Sequence, residues 1–260
     1  ITLEIFKQAL NDKVKIVAMA EVSNVLGNRQ DIETFVKLTH EKNAIFVCDG
    51  AQSVPHRKVD VQKMDVDFLA FSGHKVYGPM GIGAVYGKKE LLEKMPPFLF
   101  GGEMIEYVTK EDATWAELPH KFEAGTVNVG GAVGLAAAIH YVEKLGFSFI
   151  EEREKELSVY LMEGMREIPH VHILGSEKGE NHHGIMTFTI DGVHPHDIAE
   201  IMDSHKVCIR AGHHCAQPLM KFLGTPSTSR VSLGLYNTKE DVDAFLAALK
   251  TIRGAMGYGE

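Results

Sequence analysis

The sequence predicts an α/β protein in which a largely parallel sheet comes first and a smaller α+β domain follows. Three observations carry that prediction. Short apolar runs alternate with stretches of helical period through the first half, as strand and crossover-helix units do. Two of these runs lead into residues able to do chemistry, Asp49 and Lys75, at the strand ends where open α/β sheets bind ligands. After an alanine- and glycine-rich stretch the strands continue among longer, more charged helices, so a boundary is placed near residue 142, giving domains 1–141 and 142–260.

In order, the opening Ile1-Thr2-Leu3-Glu4-Ile5-Phe6-Lys7 reads as polar and helical rather than as a secretory leader. Residues 14–20 read as a buried strand, and residues 31–42 as a helix with Asp31 as N-cap and Glu33 in its acidic first turn. Strands are expected at 45–48 and 66–71, then at 82–87, the last antiparallel to its neighbours. Residues 98–121, with Gly101-Gly102 and the single Trp115, read as an irregular surface loop. Residues 130–143 suit a closely packed helix and 147–166 a long charged one. The second domain follows with strands at 171–174, 184–190 and 207–210 and helices at 195–205 and 239–254, the last started by Thr238. Cys48 and Cys208 sit in apolar strand runs and read as small buried hydrophobes.

Chemistry concentrates in three places. In Ser72-Gly73-His74-Lys75-Val76-Tyr77-Gly78 a lysine stands between an apolar run and a glycine-rich turn. An amine held there can form an imine with an aldehyde, although most lysines are solvated surface groups. In Cys48-Asp49-Gly50-Ala51-Gln52-Ser53 a carboxylate ends a strand. It suits the protonated ring nitrogen of a pyridoxal cofactor, with Gln52 at the phenolic oxygen, while Asp-Gly after a strand is also an ordinary turn. In Arg210-Ala211-Gly212-His213-His214-Cys215-Ala216-Gln217-Pro218 a cysteine lies in a polar loop beside two histidines and an arginine. Thiolate is the nucleophilic form, and neighbouring cations favour it.

With these motifs, and with Ala20-Glu21-Val22-Ser23-Asn24-Val25-Leu26-Gly27, Phe122-Glu123-Ala124-Gly125-Thr126-Val127-Asn128 and Ser229-Arg230-Val231-Ser232, the chain resembles the class V aminotransferase-like pyridoxal phosphate enzymes. Within them it is most similar to the group II, SufS-like cysteine desulfurases. The resemblance implies the fold type I of pyridoxal phosphate-dependent transferases, with part of the large domain followed by the small domain carrying the cysteine loop. It implies that Lys75 binds pyridoxal 5'-phosphate covalently, that Asp49 and Gln52 contact its ring, and that Ser72 and His74 hold its phosphate. Thr126 would reach the phosphate bound in the neighbouring subunit of a homodimer. Asn24 would lie near the substrate, Arg230 would clamp its carboxylate, and Arg210 would assist there or steady the cysteine loop. His213 and His214 would handle protons or organise that loop. The implied reaction turns L-cysteine into L-alanine and leaves a persulfide on Cys215, whose sulfur passes to an acceptor protein for iron–sulfur cluster assembly. L-selenocysteine is the competing substrate, since selenocysteine lyases share most of these motifs.

Composition bounds the alternatives. With 260 residues, 45% of them hydrophobic, the chain can bury a sizeable core. A net charge of −8 lacks the basic footprint of a general nucleic-acid binder, and no run of about 18 apolar residues suggests a membrane span. Three cysteines without paired spacing fit a reduced, cytoplasmic thiol better than a disulfide scaffold. Metal binding at His182-His183, at His194 and His196, or at His213-His214-Cys215 lacks a recognised ligand spacing. Against the family the N-terminal third is expected to be absent, with its phosphate-gripping helix start, so a non-catalytic fragment or scaffold is the alternative from another class. An aminotransferase or lyase needing no thiol is the alternative within the enzymes.

Overall fold

The computed structural model describes residues 1–258, which fall into two compact units. One comprises Ile1–Ala20, Asp31–Pro55 and Val59–Lys144, the other Glu21–Gln30, His56–Lys58 and the described residues from Leu145 onward. The changeover at Lys144 and Leu145 lies beside the boundary read from sequence. Glu21–Gln30 and His56–Lys58, placed in the first domain by that reading, pack instead with the second unit.

The first unit is built on a four-stranded sheet of β1 (Ile16–Ala20), β2 (Ile45–Asp49), β3 (Phe68–Ser72) and β4 (Gly83–Gly87), in that order. β1, β2 and β3 run parallel, with Ala20 opposite Asp49 and Asp49 opposite Ala70, and β4 returns antiparallel, pairing Ser72 with Gly83. The parallel strands therefore bring Asp49 and the turn after Ser72 to one edge. On one face pack α1 (Leu3–Ala9) and α2 (Ile32–Glu41). The α2 segment is helical because Ile32, Phe35, Val36 and Thr39 recur at helical spacing and bury together, and because the Asp31 side chain accepts from Thr34 N–H at its start. Phe6 meets Phe35 edge to face, ring centroids 4.6 Å apart, over Phe46, Cys48 and Leu69. Short helices α3 (Val61–Met64) and α4 (Lys89–Lys94) connect the strands, and α5 (Val129–Leu145) follows.

Two expectations for this unit need correction. Residues 14–20 are not a buried strand: β1 lies at the end of the sheet order, none of its five residues is fully buried, and Ile16 is 63% exposed. Val17 and Met19 face the helices while Ile16 and Ala18 face away, the alternation of a strand covered on one face. Residues 98–121 are not wholly irregular either, since β5 (Ile105–Val108) and β6 (Ala113–Trp115) form an antiparallel hairpin. Its turn is closed by Thr109, whose hydroxyl accepts from the N–H groups of Glu111 and Asp112.

The second unit has α6 (Phe147–Arg166), α7 (Pro195–Ser204), α8 (Gln217–Phe222) and α9 (Lys239–Ala255) with the strands β7 (Val171–Leu174), β8 (Ile185–Ile190), β9 (Arg210–Gly212) and β10 (Thr228–Ser232). The sheet order is β7-β8-β10-β9, antiparallel throughout. Leu157, Leu161 and Met165 of α6, Ile198 and Met202 of α7 and Phe245, Leu249 and Ile252 of α9 bury against Met186 and Phe188 of β8. Each such side chain contributes about 1.5–3 kcal/mol by leaving water. Thr238 starts α9 in a capping box with Asp241. The strand expected at 207–210 is displaced. Lys206 turns at φ 63° after α7, Val207 N–H bonds back to Met202, and only Arg210, Ala211 and Gly212 pair with β10. Val207 and Ile209 pack inward, so Cys208 between them is exposed, not the buried hydrophobe expected. Cys48 is buried. No single helix among the described residues is long and apolar enough to cross a membrane.

Candidate active site

In the first unit, the carboxyl edge of the sheet gathers the residues singled out from its sequence. Asp49 is the last residue of β2, exposed, and its Oδ1 accepts from Ala51 N–H at 2.9 Å. Gly50, Ala51 and half-buried Gln52 follow in a tight turn closed by Ser53 and Val54 N–H onto Gly50 O. β3 ends at half-buried Ser72 and passes into a 3-10 turn, Gly73–Val76, which carries exposed His74 and half-buried Lys75. Gly73 is demanded here, because a Cβ would stand 2.8 Å from the Ile82 side chain and 2.9 Å from Ile82 O. A cavity of about 720 Å³ opens on the sheet face bearing Asp49, Ala70 and Ser72, walled by Phe98 and Phe122. Lys75 is not among its lining residues. Thr126 is exposed in the loop before α5, just after Gly125 at φ 73°.

In the second unit the cysteine loop runs from β9 to α8 with Gly212 at φ 122°, His214 at 53° and Cys215 at 60°. Two successive non-glycine residues in the left-handed region store strain of order 1–3 kcal/mol each. Cys215 and His213 are exposed, and Arg210 Nη2 lies 3.4 Å from Cys215 Sγ. His214 is buried, with Nε2 2.9 Å from Thr228 Oγ1. The Thr228 hydroxyl also reaches Met220 Sδ at 3.6 Å. The His214 Nδ1 is buried without a hydrogen-bond partner among the described residues. Burial, then the charges of Arg230 and Arg210, push the His214 pKa down to about 4.

Asn24 belongs to this same cluster. Its Nδ2 donates to His214 O at 2.7 Å, and its own carbonyl accepts from Arg230 Nη1 at 2.8 Å. Arg230 is half-buried on β10, its pKa lowered by burial and by Arg210, with Cys215 opposing. The 21–30 segment is secured by Glu21, itself buried against Arg29 Nε at 3.0 Å and Arg57 Nε at 3.6 Å, and by Thr187, which donates to Val25 O. Its Gly27, at φ 68°, packs so closely that a Cβ would come 1.9 Å from His182 O.

The sequence reading missed Thr228, Met220 and Glu21. Thr228 had a legible signal, since it stands two residues before Arg230 on one strand and shares its face. Two of the histidines weighed as metal ligands make other contacts. Both His182 ring nitrogens lie on carbonyl oxygens, Ile185 O at 3.2 Å and Ser176 O at 2.8 Å, and His194 Nδ1 caps α7 by accepting from His196 N–H.

The sequence pattern of the family described as aminotransferase class-V matches residues 1–245. The chain belongs to that family. Two relatives described as "Probable cysteine desulfurase" match it, one from Staphylococcus epidermidis at 53% identity over 256 residues and one from Staphylococcus aureus at 51% over 258. These matches take in 98% and 99% of the chain, and in both cases 62% of the relative, so the chain spans less than two thirds of their length. Among solved structures, the cysteine desulfurase CsdA from Escherichia coli superposes with a TM-score of 0.92 at 35% identity, covering 97% of this chain and 62% of its own. A cysteine desulfurase from Thermococcus onnurineus does so with 0.89 at 43%, covering 92% and 60%. The class V chain therefore has the type I fold of pyridoxal phosphate-dependent transferases, with its parallel-sheet unit and its small α+β unit.

Proposed function

We propose that the whole protein is a pyridoxal 5'-phosphate-dependent cysteine desulfurase, converting L-cysteine to L-alanine and storing the sulfur as a persulfide on Cys215. The observation that carries this reading is the setting of Cys215, an exposed thiol on a strained loop 3.4 Å from the Arg210 guanidinium, in the same unit as half-buried Arg230. A transaminase has no need of such a thiol. The names borne by the relatives support the reading.

The donor set of the first unit fits the cofactor. Asp49 offers a carboxylate to a protonated pyridine nitrogen, Lys75 an amine to an aldehyde, Gln52 an amide to a phenolic oxygen, and Ser72 and His74 donors to a phosphate. When bound, the cofactor supplies an electron sink for the bonds broken at the amino acid. The Lys75 amine would accept the α-proton of the substrate and hand it on. Arg230 grips the substrate carboxylate with its planar fork of donors. Cys215 thiolate attacks the substrate sulfur; an S–S bond forms, the C–S bond breaks with its electron pair left on carbon, and a proton completes the alanine methyl group. With a pKa of about 4, His214 is neutral at working pH and is not an imidazolium acid. His213, exposed on the same loop, is the one placed to exchange protons with solvent. Thr126, in its exposed loop, suits a contact with the phosphate bound by a second copy, as a homodimer requires. An acceptor protein's thiolate then attacks the outer sulfur of the persulfide and Cys215 departs as thiolate, supplying iron–sulfur cluster assembly in the reducing cytoplasm that keeps a thiol usable.

The test is the visible spectrum and intact mass of the protein after pyridoxal phosphate and then L-cysteine. A cofactor band that shifts with cysteine, with one sulfur atom gained at Cys215, is expected. Cys215→Ser keeps the band and gains no sulfur, and Lys75→Ala loses the band. Turnover of L-cysteine by Cys215→Ser at the parent rate would overturn the reading in favour of a lyase or transaminase.

A further inference from the structure

A strained loop persists only where its surroundings over-determine it, and the restraints on the cysteine loop are few. Asn24 Nδ2 holds the His214 carbonyl at 2.7 Å. The His214 ring is held on Thr228 at 2.9 Å, and Ala216 N–H closes the turn onto His213 O at 2.9 Å. Asn24 is fixed from the other side by Arg230, and its own segment is pinned by Thr187 on Val25 O and by the Ser23 hydroxyl, which accepts from Val25 and Leu26 N–H. One residue thus meets the carboxylate-binding arginine with its main chain and the thiol loop with its side chain. The contacts span 206 and 190 positions, so local turn geometry does not explain them.

We propose that Asn24 and Thr228 are positioning residues that hold the Cys215 loop in its strained form, keeping the thiol beside Arg210 and in register with Arg230. The proposal rests on Cys215 being the working thiol. Neither residue touches the sulfur; each acts through His214, Asn24 on its carbonyl and Thr228 on its ring. When either restraint is cut, the loop relaxes toward ordinary backbone angles and the thiol leaves the guanidinium.

A guanidinium beside a thiol concentrates anionic reagents there relative to neutral ones. The test therefore compares alkylation of Cys215 by iodoacetate and by iodoacetamide, each rate normalised to free cysteine. It uses the full chain with Cys208→Ser, since Cys208 is the other exposed thiol, and neither cofactor nor substrate. The parent prefers iodoacetate, and salt erases the preference. Asn24→Ala and, separately, Thr228→Val each lower the rate ratio by roughly five-fold, the factor that one net hydrogen bond represents, with the melting temperature little changed. Thr228→Val keeps the side-chain shape, so it decides the matter if Asn24→Ala does not fold. A parent without preference, or a ratio unchanged in the variants, overturns the proposal. Because no turnover enters the measurement, failure of the desulfurase reading shows separately, in the spectrum and mass.

Discussion

Between about pH 7 and 5 a solvated histidine takes up a proton, but burial and the guanidinium groups of Arg230 and Arg210 push His214 down from 6.5 to about 4. The unfolded chain binds that proton and the folded one does not. The stability at stake is fully present above pH 6.5 and is lost as the pH falls through 4, by about 3 kcal/mol at most. Urea unfolding of the parent and of His214→Gln at pH 7 and pH 4 checks this: the parent loses more by up to that amount, and an imidazole titrating near 6.5 by NMR would sink the idea. At this scale the sequence was partly legible. Gly212 and Pro218 mark a loop, so the exposure of Cys215 could be read; Cys208 looked like a strand residue because its apolar neighbours pack inward without a sheet partner. Asn24 was singled out from sequence, but its hydrogen-bond partners lie 190 and 206 positions away, beyond any local pattern.

Helices that begin with a legible cap were the easiest elements to read. The Thr238 box starts α9, and Thr238→Ala is expected to cost about 1 kcal/mol, seen as a lower urea midpoint with an unchanged slope. Phe188 stacks edge to face on Phe245 with centroids 6.0 Å apart inside the core of the second unit. Phe188→Ala should cost about 3–5 kcal/mol, and a loss under 1 kcal/mol in the same assay would mean that this core collapses around the gap. The β5-β6 hairpin escaped notice because its strands have only four and three residues, too short for an alternation to register. β1 differs for another reason: the run of apolar residues is real, but the helices of this cluster cover only the face bearing Val17 and Met19.

Each unit encloses its own cluster of buried side chains, with no residue shared between the two. Equilibrium unfolding should therefore follow two transitions rather than one, and Phe188→Ala should move only one of them; a single coincident shift by fluorescence and circular dichroism would count against this. The fold class was legible because in the first unit short apolar runs alternate with helical stretches, as parallel strands joined by crossovers do. The make-up of the second unit was not, because it borrows Glu21–Gln30 from early in the chain. That borrowing bears on synthesis. A ribosome adding roughly 5–20 residues per second makes Asn24 about 10–40 s before it reaches His214, 190 positions on. Until the segment carrying His214 is translated, the nascent chain has an anchor but no loop for it to hold. Cys215 thus acquires its posture long after its anchor has been made.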